Sequence, residues 1–258
     1  MSLGITIIGT GNVATHLALN LEKAGINVLE VYGRSKAKAK ALAAQLYIAK
    51  VVEVLDFSES ESDLFFLCVS DAAISEVAKE IQLPEGTLLI HCSGATSMKE
   101  IARTDTAYGV FYPIQTFSTK HKVSFQDISL CLEASSNKAE ITLEKLALKM
   151  GAKPCFMNSK QRLVLHVSAV FACNFSNHFY RISHELLKEQ GLPFRLLQNL
   201  VQETVLKAFE LGPENAQTGP AVREDFKTMA LHEKVLNQSP AWQELYSKIS
   251  NDIILNKN

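Results

Sequence analysis

Over the first 150 residues the hydrophobic positions fall into short, nearly continuous runs separated by stretches with helical spacing. Leu3 to Ile8, with Ile5, Ile7 and Ile8, predicts a β-branched strand. Thr15 to Ala24 puts Leu17, Ala18, Leu21 and Ala24 on one helical face, and Gly25 follows as a C-cap would. Val28 to Tyr32 predicts a second strand, closing on Gly33-Arg34-Ser35, and Lys36 to Leu46 a helix with Ala and Leu on one side. Val51 to Leu55 is weaker, a short strand or the end of a loop, and Ser58 to Asp63 is polar and acidic. Leu64 to Val69 (LFFLCV) is apolar throughout, as a parallel strand covered on both faces should be. Ser70 or Asp71 can cap a helix over Ala72 to Ile81, and Pro84-Glu85-Gly86 turns into another buried strand, Thr87 to His91. Ser97-Met98-Lys99-Glu100 has the form of a capping box. Ala107 to Phe111 and Ile128 to Leu132 predict two further strands, and Asn137 to Met150 an amphipathic helix ended by Gly151.

This alternation predicts a doubly wound, mostly parallel sheet. The pattern then changes, and from Ser159 onward no strand is expected. Lys160 to Lys188 reads as one long helix of about 28 residues, about 42 Å at the usual rise. Its first half, with Leu163, Val164, Leu165, Val167, Val170, Phe171 and Phe175, is apolar nearly all round. That predicts burial from several sides, in a bundle core or a subunit interface. Pro193 opens another helix running to Leu211, Pro220 a third, and Ser239-Pro240 a fourth. The expected fold class is an α/β N-terminal domain, residues 1–155, followed by an all-α C-terminal domain, residues 156–258.

Between the first strand and first helix stands Gly9-Thr10-Gly11-Asn12-Val13-Ala14, which reads G-x-G-x-x-A. In that context it predicts a Rossmann dinucleotide site. Gly9 allows the tight turn, Gly11 lets the backbone approach a pyrophosphate, and Ala14 lets helix and strand pack closely. The free N–H groups of the helix's first turn then face the phosphates. A glycine turn without a ligand is the other reading.

Composition narrows the classes. A formal charge of −1 implies no general attraction to nucleic acid or to an acidic membrane surface. The apolar runs fall short of the ~20 residues of a membrane helix. The first strand begins at once, without a basic flank, so no signal peptide is expected. Cys68, Cys92, Cys131, Cys155 and Cys173 are scattered, and several lie in apolar runs. This suggests a reduced, cytoplasmic protein with buried thiols and no metal site.

Cofactor choice should be made at the end of the second strand. NAD-preferring folds place a carboxylate there for the ribose 2′-OH. Here Arg34 and Ser35 stand instead, with Lys36 and Lys38 beyond. Arg34 can pair with a 2′-phosphate and stack on adenine, so NADP is expected over NAD. The strand end Val69-Ser70-Asp71 should lie beside the first, with Ser70 near the nicotinamide ribose and Asp71 a helix cap or a catalyst, and Ser93 and Gly94 should face the nicotinamide. His91 is either an acid–base group or a structural histidine. On the long helix His166, Asn174 and Asn177 are polar in an apolar setting, and each needs a partner or a ligand. His166 and Asn177, 11 positions apart, return to nearly one face at 3.6 residues per turn. His166 and Asn174 are candidates to orient a carbonyl or imine. In Thr218-Gly219-Pro220-Ala221-Val222-Arg223-Glu224-Asp225, Arg223 and Asp225 should occupy a helix's first turns, with His232 two turns on. Arg223 could anchor a substrate carboxylate, or belong to a surface ion-pair cluster.

Four stretches carry a family resemblance: Gly9 to Ala14, His91-Cys92-Ser93-Gly94-Ala95, Tyr112-Pro113-Ile114-Gln115-Thr116-Phe117, and His166 to Asn174 together with Thr218 to His232. With these the chain resembles the Rossmann-like, DUF2520 proteins labelled NADP oxidoreductases, relatives of pyrroline-5-carboxylate reductase and of the 6-phosphogluconate dehydrogenase superfamily. The resemblance covers essentially the whole chain. It implies a Rossmann domain, a helical domain resembling that of 6-phosphogluconate dehydrogenase and a homodimer, without a substrate. Many β-hydroxyacid dehydrogenases of that superfamily carry a catalytic Lys one turn before an Asn. Here Val170 and Phe171 precede Asn174, which counts against their mechanism. Tyr112-Pro113 stands where relatives often have His-Pro, so no His role carries over. The expected activity is NADP-dependent hydride transfer to or from a small carbonyl or imine, with His166, Asn174 and Arg223 as catalytic residues. A pyrroline-5-carboxylate reductase-like imine reductase and a non-catalytic NADP(H)-binding or sensing protein are the alternatives.

Overall fold

The computed structural model describes residues 3–118 and 120–257. The chain forms two compact units, Met1–Ala169 and Val170–Asn258.

The first unit is built on one eight-stranded sheet. Its strands are β1 (Gly4–Ile8), β2 (Asn27–Tyr32), β3 (Lys50–Val52), β4 (Leu64–Leu67), β5 (Leu88–His91), β6 (Ala107–Pro113), β7 (Ser129–Ala134) and β8 (Lys153–Phe156). Their spatial order is 3-2-1-4-5-6-7-8. All neighbours are parallel except β6 and β7. The first six strands therefore have the order of a doubly wound dinucleotide fold, with the reversal of winding between β1 and β4. Lys153–Phe156 was not expected as a strand. It is only four residues long, contains Pro154 and joins the sheet edge beside β7. An edge position tolerates the missing N–H of a proline.

Helices α1 (Asn12–Lys23), α2 (Lys36–Ala43), α3 (Asp71–Glu80), α4 (Asn137–Lys149) and α5 (Ser159–Ala169) belong to this unit. Alternate residues of the central strands serve opposite faces. Ile5, Ile7, Leu64 and Phe66 join Leu17, Leu21 and Leu143 of α1 and α4 in one core. Ile8, Phe65, Leu67 and Leu89 join Ile74 and Ala78 of α3 in the other. Both Phe65 and Phe66 are fully buried. Such a side chain contributes about 1.5–3 kcal/mol relative to an exposed one. The capping-box sequence at Ser97 forms a single 3₁₀ turn, Met98–Ile101, with the Ser97 hydroxyl accepting from the Lys99 N–H.

Three side chains at intervals of four residues fasten the long β6–β7 connection to α1. Asn12 Nδ2 donates to the Phe117 carbonyl at 3.0 Å, and His16 Nε2 to the Ser118 carbonyl at 2.9 Å. Asn20 donates to the Val123 carbonyl at 2.9 Å and accepts from the Phe125 N–H at 3.0 Å. An i, i+4, i+8 row lies along one helix face, so a single stripe of α1 holds the loop.

The second unit is helical. A π-helical stretch, Val170–Phe175, leads into α6 (Ser176–Glu189), followed by α7 (Gln198–Leu211), α8 (Pro213–Ala216), α9 (Phe226–Val235) and α10 (Pro240–Leu255). The expected uniform long helix is thus α5, a π-helical stretch and α6. Spacing at 3.6 residues per turn does not hold through the π-helical stretch, so the shared face inferred for His166 and Asn177 loses its basis. Its apolar residues are also not enclosed by their own chain: Leu163, Val167, Phe171 and Phe175 are exposed, and Val164 is 61% exposed. Pro220 does not open a helix. Asp225 caps α9, accepting from the Thr228 N–H at 3.1 Å, and Arg223 lies in the turn before it. No helix of the described residues is long and apolar enough to cross a membrane.

Candidate active site

The crevice outside the carboxyl ends of β1 and β4 is where a doubly wound sheet binds its ligand. The residue after β1 is Gly9, with φ of +131°, and a Cβ there would lie 2.2 Å from the Cys68 carbonyl oxygen. The Gly9 N–H donates to the Tyr32 carbonyl at 2.8 Å, and the Cys68 N–H to the Ile8 carbonyl at 2.7 Å. Gly9 therefore draws the ends of β1, β2 and β4 together. A Cβ on Gly11, by contrast, would meet nothing within 4 Å. No protein atom requires a glycine at that position, and the open space above it is where a pyrophosphate would approach. These residues fit a dinucleotide.

A cavity of about 370 Å³ opens here, lined by Gly9, Thr10, Gly11, Arg34, Ser35, Val69 and Ser70 among others. Lys38, Glu76 and Glu80 also line it. The Ser35 hydroxyl caps α2, accepting from the Lys38 N–H at 3.4 Å. Arg34, Ser35 and Lys38 thus share the start of α2, where helix N–H groups and cations both favour an anion. Of the remaining expected cofactor residues, Asn12 turns its amide to the β6–β7 loop, and Val13 packs against the core. Val13 can then serve a phosphate through its backbone N–H, and Asn12 through its backbone N–H and the amide hydrogen not given to Phe117.

One strand further along, Ser93 and Gly94 follow β5. Ser93 is buried, and its hydroxyl accepts from the N–H groups of Ala95 at 3.1 Å and Thr96 at 2.9 Å, which closes a tight turn. Gly94 is wedged between two side chains. Its Cβ would lie 2.7 Å from both His166 Nδ1 and Tyr112 Cζ. The Tyr112 hydroxyl and His166 Nδ1 are themselves 3.2 Å apart, with the rings edge to face. β5, β6 and α5 thus bring Gly94, Tyr112 and His166 together. Tyr112 was not expected to take part. The Tyr112-Pro113 dipeptide, read as part of the family resemblance and as a departure from His-Pro, was the available signal. Gln115 turns back on its own loop, where its Oε1 accepts from the Thr116 N–H at 2.8 Å.

Beneath this cluster lies a buried charge that the sequence reading also passed over. Arg162, fully buried and one turn before His166 on α5, pairs with Glu133 of β7 and donates to the Thr96 carbonyl and, at 3.2 Å, to the Ser159 hydroxyl. Ser159 in turn donates to Glu133 at 2.8 Å and accepts from the Met98 N–H at 3.0 Å. This network ties α5 to the loop that carries Ser93 and Gly94. Its sequence signals were an Arg four residues before His166 and a Glu directly after the predicted strand Ile128 to Leu132.

His91 lies in the interior, with its Nε2 buried and without a hydrogen-bond partner among the described residues. It is fully buried at the end of β5 and accepts from the Ser93 N–H through Nδ1 at 3.2 Å. Burial, reinforced by the Arg162 charge and opposed by the Ser97 backbone, pulls its pKa down to about 3. It is neutral at physiological pH. The thiols of Cys68 and Cys92, 3.7 Å apart, are both buried, and their contact and burial hold Cys92 protonated well above the usual thiol range.

The other expected catalytic residues belong to the second unit. Asn174 lies in the π-helical stretch and is exposed, as is Asn177, so neither carries the burial penalty inferred for it. Arg223 is exposed in the turn before α9, and His232 Nδ1 contacts the Tyr246 hydroxyl at 2.9 Å.

Residues 4–94 match the family described as NADP oxidoreductase, coenzyme F420-dependent, and residues 128–253 match DUF2520, a domain of unknown function. None of the curated proteins matches the chain. Among solved structures, the "putative NADP oxidoreductase BF3122" of Bacteroides fragilis is 36% identical, with 99% of each chain covered and a TM-score of 0.91. Protein TM1727 of Thermotoga maritima is 22% identical over 96% of this chain and 98% of that one, with a TM-score of 0.75. A reductive aminase of Aspergillus terreus, solved with NADPH and ethyl-5-oxohexanoate, is 14% identical over 98% and 94%, with a TM-score of 0.76. At those last two identities the likeness is one of fold. A glycine turn built for a dinucleotide, a basic pocket at the end of β2 and a full-length relative at 36% identity lead to one conclusion: the chain belongs to the family of NADP oxidoreductases that carry the DUF2520 domain.

Proposed function

We propose that this protein is an NADPH-dependent reductase of a small carbonyl or imine compound, with His166 as its proton donor. The observation that carries the reading is the seating of the His166 ring against Gly94, at the carboxyl end of β5 and two strands from the Gly9 turn. Bound NADPH would supply a hydride, the chemistry that belongs to the cofactor. The first-turn N–H groups of α1 would hold its pyrophosphate, Arg34 and Ser35 its 2′-phosphate, and Val69 and Ser70 its ribose. Ser93 and Gly94 would form the floor beside the nicotinamide. His166 would give a proton to the substrate heteroatom as the carbon is reduced. Asn174 would orient the substrate, and Arg223 would anchor a carboxylate if the substrate carries one. The fold shared with a reductive aminase supports the imine class.

We further propose that the C-terminal part of the chain, residues 156–258, which comprises α5 and the helical second unit, serves substrate binding and dimerisation. Its support is exposed apolar surface. On α7, Leu200 is 64% and Phe209 89% exposed, and Val205 and Leu206 are exposed with them, as is Leu196 in the turn before α7. Exposed apolar side chains gathered in this number are what an interface would cover. Free, mostly buried thiols are consistent with a reducing, cytoplasmic setting.

The test is NADPH oxidation against a panel of cyclic imines, ketone–amine pairs and oxo-acids. His166→Ala should lower turnover at least ~100-fold with NADPH affinity and folding retained. Tight NADPH binding without turnover on any panel member, across several pH values, would instead favour a binding or sensing role.

A further inference from the structure

We propose that Tyr112 acts through His166, so that the pair delivers a proton as a relay and the imidazole stays neutral throughout. This inference rests on the reading of His166 as proton donor and adds the source of its proton. The geometry sets the contact. The Tyr112 hydroxyl lies 3.2 Å from Nδ1, the nitrogen that also faces Gly94. A phenol donating to Nδ1 fixes the tautomer in which Nε2 carries the hydrogen. The ring then presents an N–H on the side away from Tyr112.

The step balances without an imidazolium. The Nε2–H bond breaks as a new bond to hydrogen forms on the substrate heteroatom, whose carbon takes the hydride. The Tyr112 O–H bond breaks as an N–H bond forms at Nδ1. The ring ends as the opposite neutral tautomer, and the phenolate regains a proton from water. Among the other ionisable groups on these elements, Arg162 of α5 and Glu133 of β7 pair with each other, His91 of β5 is held neutral, Lys160 of α5 is exposed, and Tyr108 of β6 packs with the core on the α3 face. The buried thiols of Cys92 and Cys131 are held protonated well above the usual thiol range. The hydrogen bond to the His166 ring comes from Tyr112.

A histidine acting alone must be an imidazolium to give up a proton and leave a neutral ring, which confines it to low pH. A histidine fed by a phenol works until the phenol ionises, several pH units higher. The experiment therefore compares the wild type with Tyr112→Phe in two ways. The first is ¹⁵N NMR of the His166 ring in the cofactor-free protein. The relay requires the Nε2–H tautomer in the wild type and a mixture of tautomers in Tyr112→Phe. The second is the pH profile of turnover on the most active panel substrate. The variant should lose activity ~10-fold per pH unit above the histidine range while the wild type stays flat, with NADPH affinity equal in both. An Nδ1–H tautomer in the wild type overturns the relay, even if the variant does not fold. So does an unchanged pH profile in a folded variant. If His166→Ala itself retains turnover, it is the assignment of His166 that fails. Loss in His166→Ala with no effect of Tyr112→Phe removes the relay alone.

Discussion

His166 Nδ1 lies 2.7 Å from the point that a Cβ on Gly94 would occupy. Tyr112 Cζ is equally close to that point, so one methyl group would drive apart the pair that the proposed chemistry uses. Gly94→Ala should therefore lower kcat at least ~10-fold, the scale expected when a catalytic group shifts by a fraction of an ångström. The dissociation constant for NADPH should change much less. Stopped-flow turnover and cofactor fluorescence titration separate the two.

The two glycines of the nucleotide turn should fail in opposite ways. Gly9→Ala puts a methyl 2.2 Å from the Cys68 carbonyl oxygen at a φ of +131°, so it should unfold the protein or lower its melting temperature sharply. Gly11→Ala meets no protein atom within 4 Å. Its melting temperature without cofactor should match the wild type, while NADPH binding weakens at least ~10-fold as the methyl enters the pyrophosphate's space. Equal NADPH affinity in Gly11→Ala would show that the turn holds no phosphate.

Arg34 shares the mouth of the cavity with Ser35 and Lys38. Removing a charge-assisted hydrogen bond from a phosphate typically forfeits about 1.5–3 kcal/mol. Arg34→Ala should then raise the Kd for NADPH roughly 10- to 150-fold and leave that for NADH nearly unchanged. An equal loss for both cofactors would remove the 2′-phosphate assignment.

Arg162 is wholly buried, and its partner Glu133 is 16% exposed. Arg162→Met strands that carboxylate and releases the Thr96 carbonyl, so unfolding free energy should fall by about 3–5 kcal/mol. The double change Arg162→Met with Glu133→Leu should recover most of the loss, because an apolar pair of similar volume leaves no unpaired charge. Urea denaturation of the four proteins closes the cycle. A double variant as unstable as the single one would mean that the bonds to Thr96 and Ser159 matter more than the ion pair.

His91 should make the fold acid-sensitive. Its folded pKa of about 3 lies below the ordinary imidazole value near 6.5, so the unfolded chain takes up a proton that the folded one refuses. The stability it gives is complete above about pH 6.5 and declines as pH falls toward 3, by up to about 1.4 kcal/mol per pH unit. His91→Phe should flatten the slope of stability between pH 6.5 and 4.5, whatever its effect at neutral pH. An unchanged slope would place the acid sensitivity elsewhere.

The sequence alone determined the alternation of strands and helices, the glycine turn and the basic end of β2. These are local: a parallel strand buried on both faces must be apolar throughout, and a turn of a given φ selects its glycine wherever the rest of the chain goes. The same locality kept Lys153–Phe156 out of sight, since four residues with a proline carry no periodicity. Tertiary structure alone decided what stands beside what. Tyr112, Gly94 and His166 come from β6, from the turn after β5 and from α5, and nothing within each segment marks the others as its partners. The buried pair of Arg162 and Glu133 joins residues 29 positions apart, and its two charges are explicable only once their surroundings are known. The exposure of Leu163, Val164 and Val167 makes the same point from the other side. Their apolar pattern called for burial, but whether the fold supplies it is set by packing at a distance, and that does not appear in the spacing of residues along the chain.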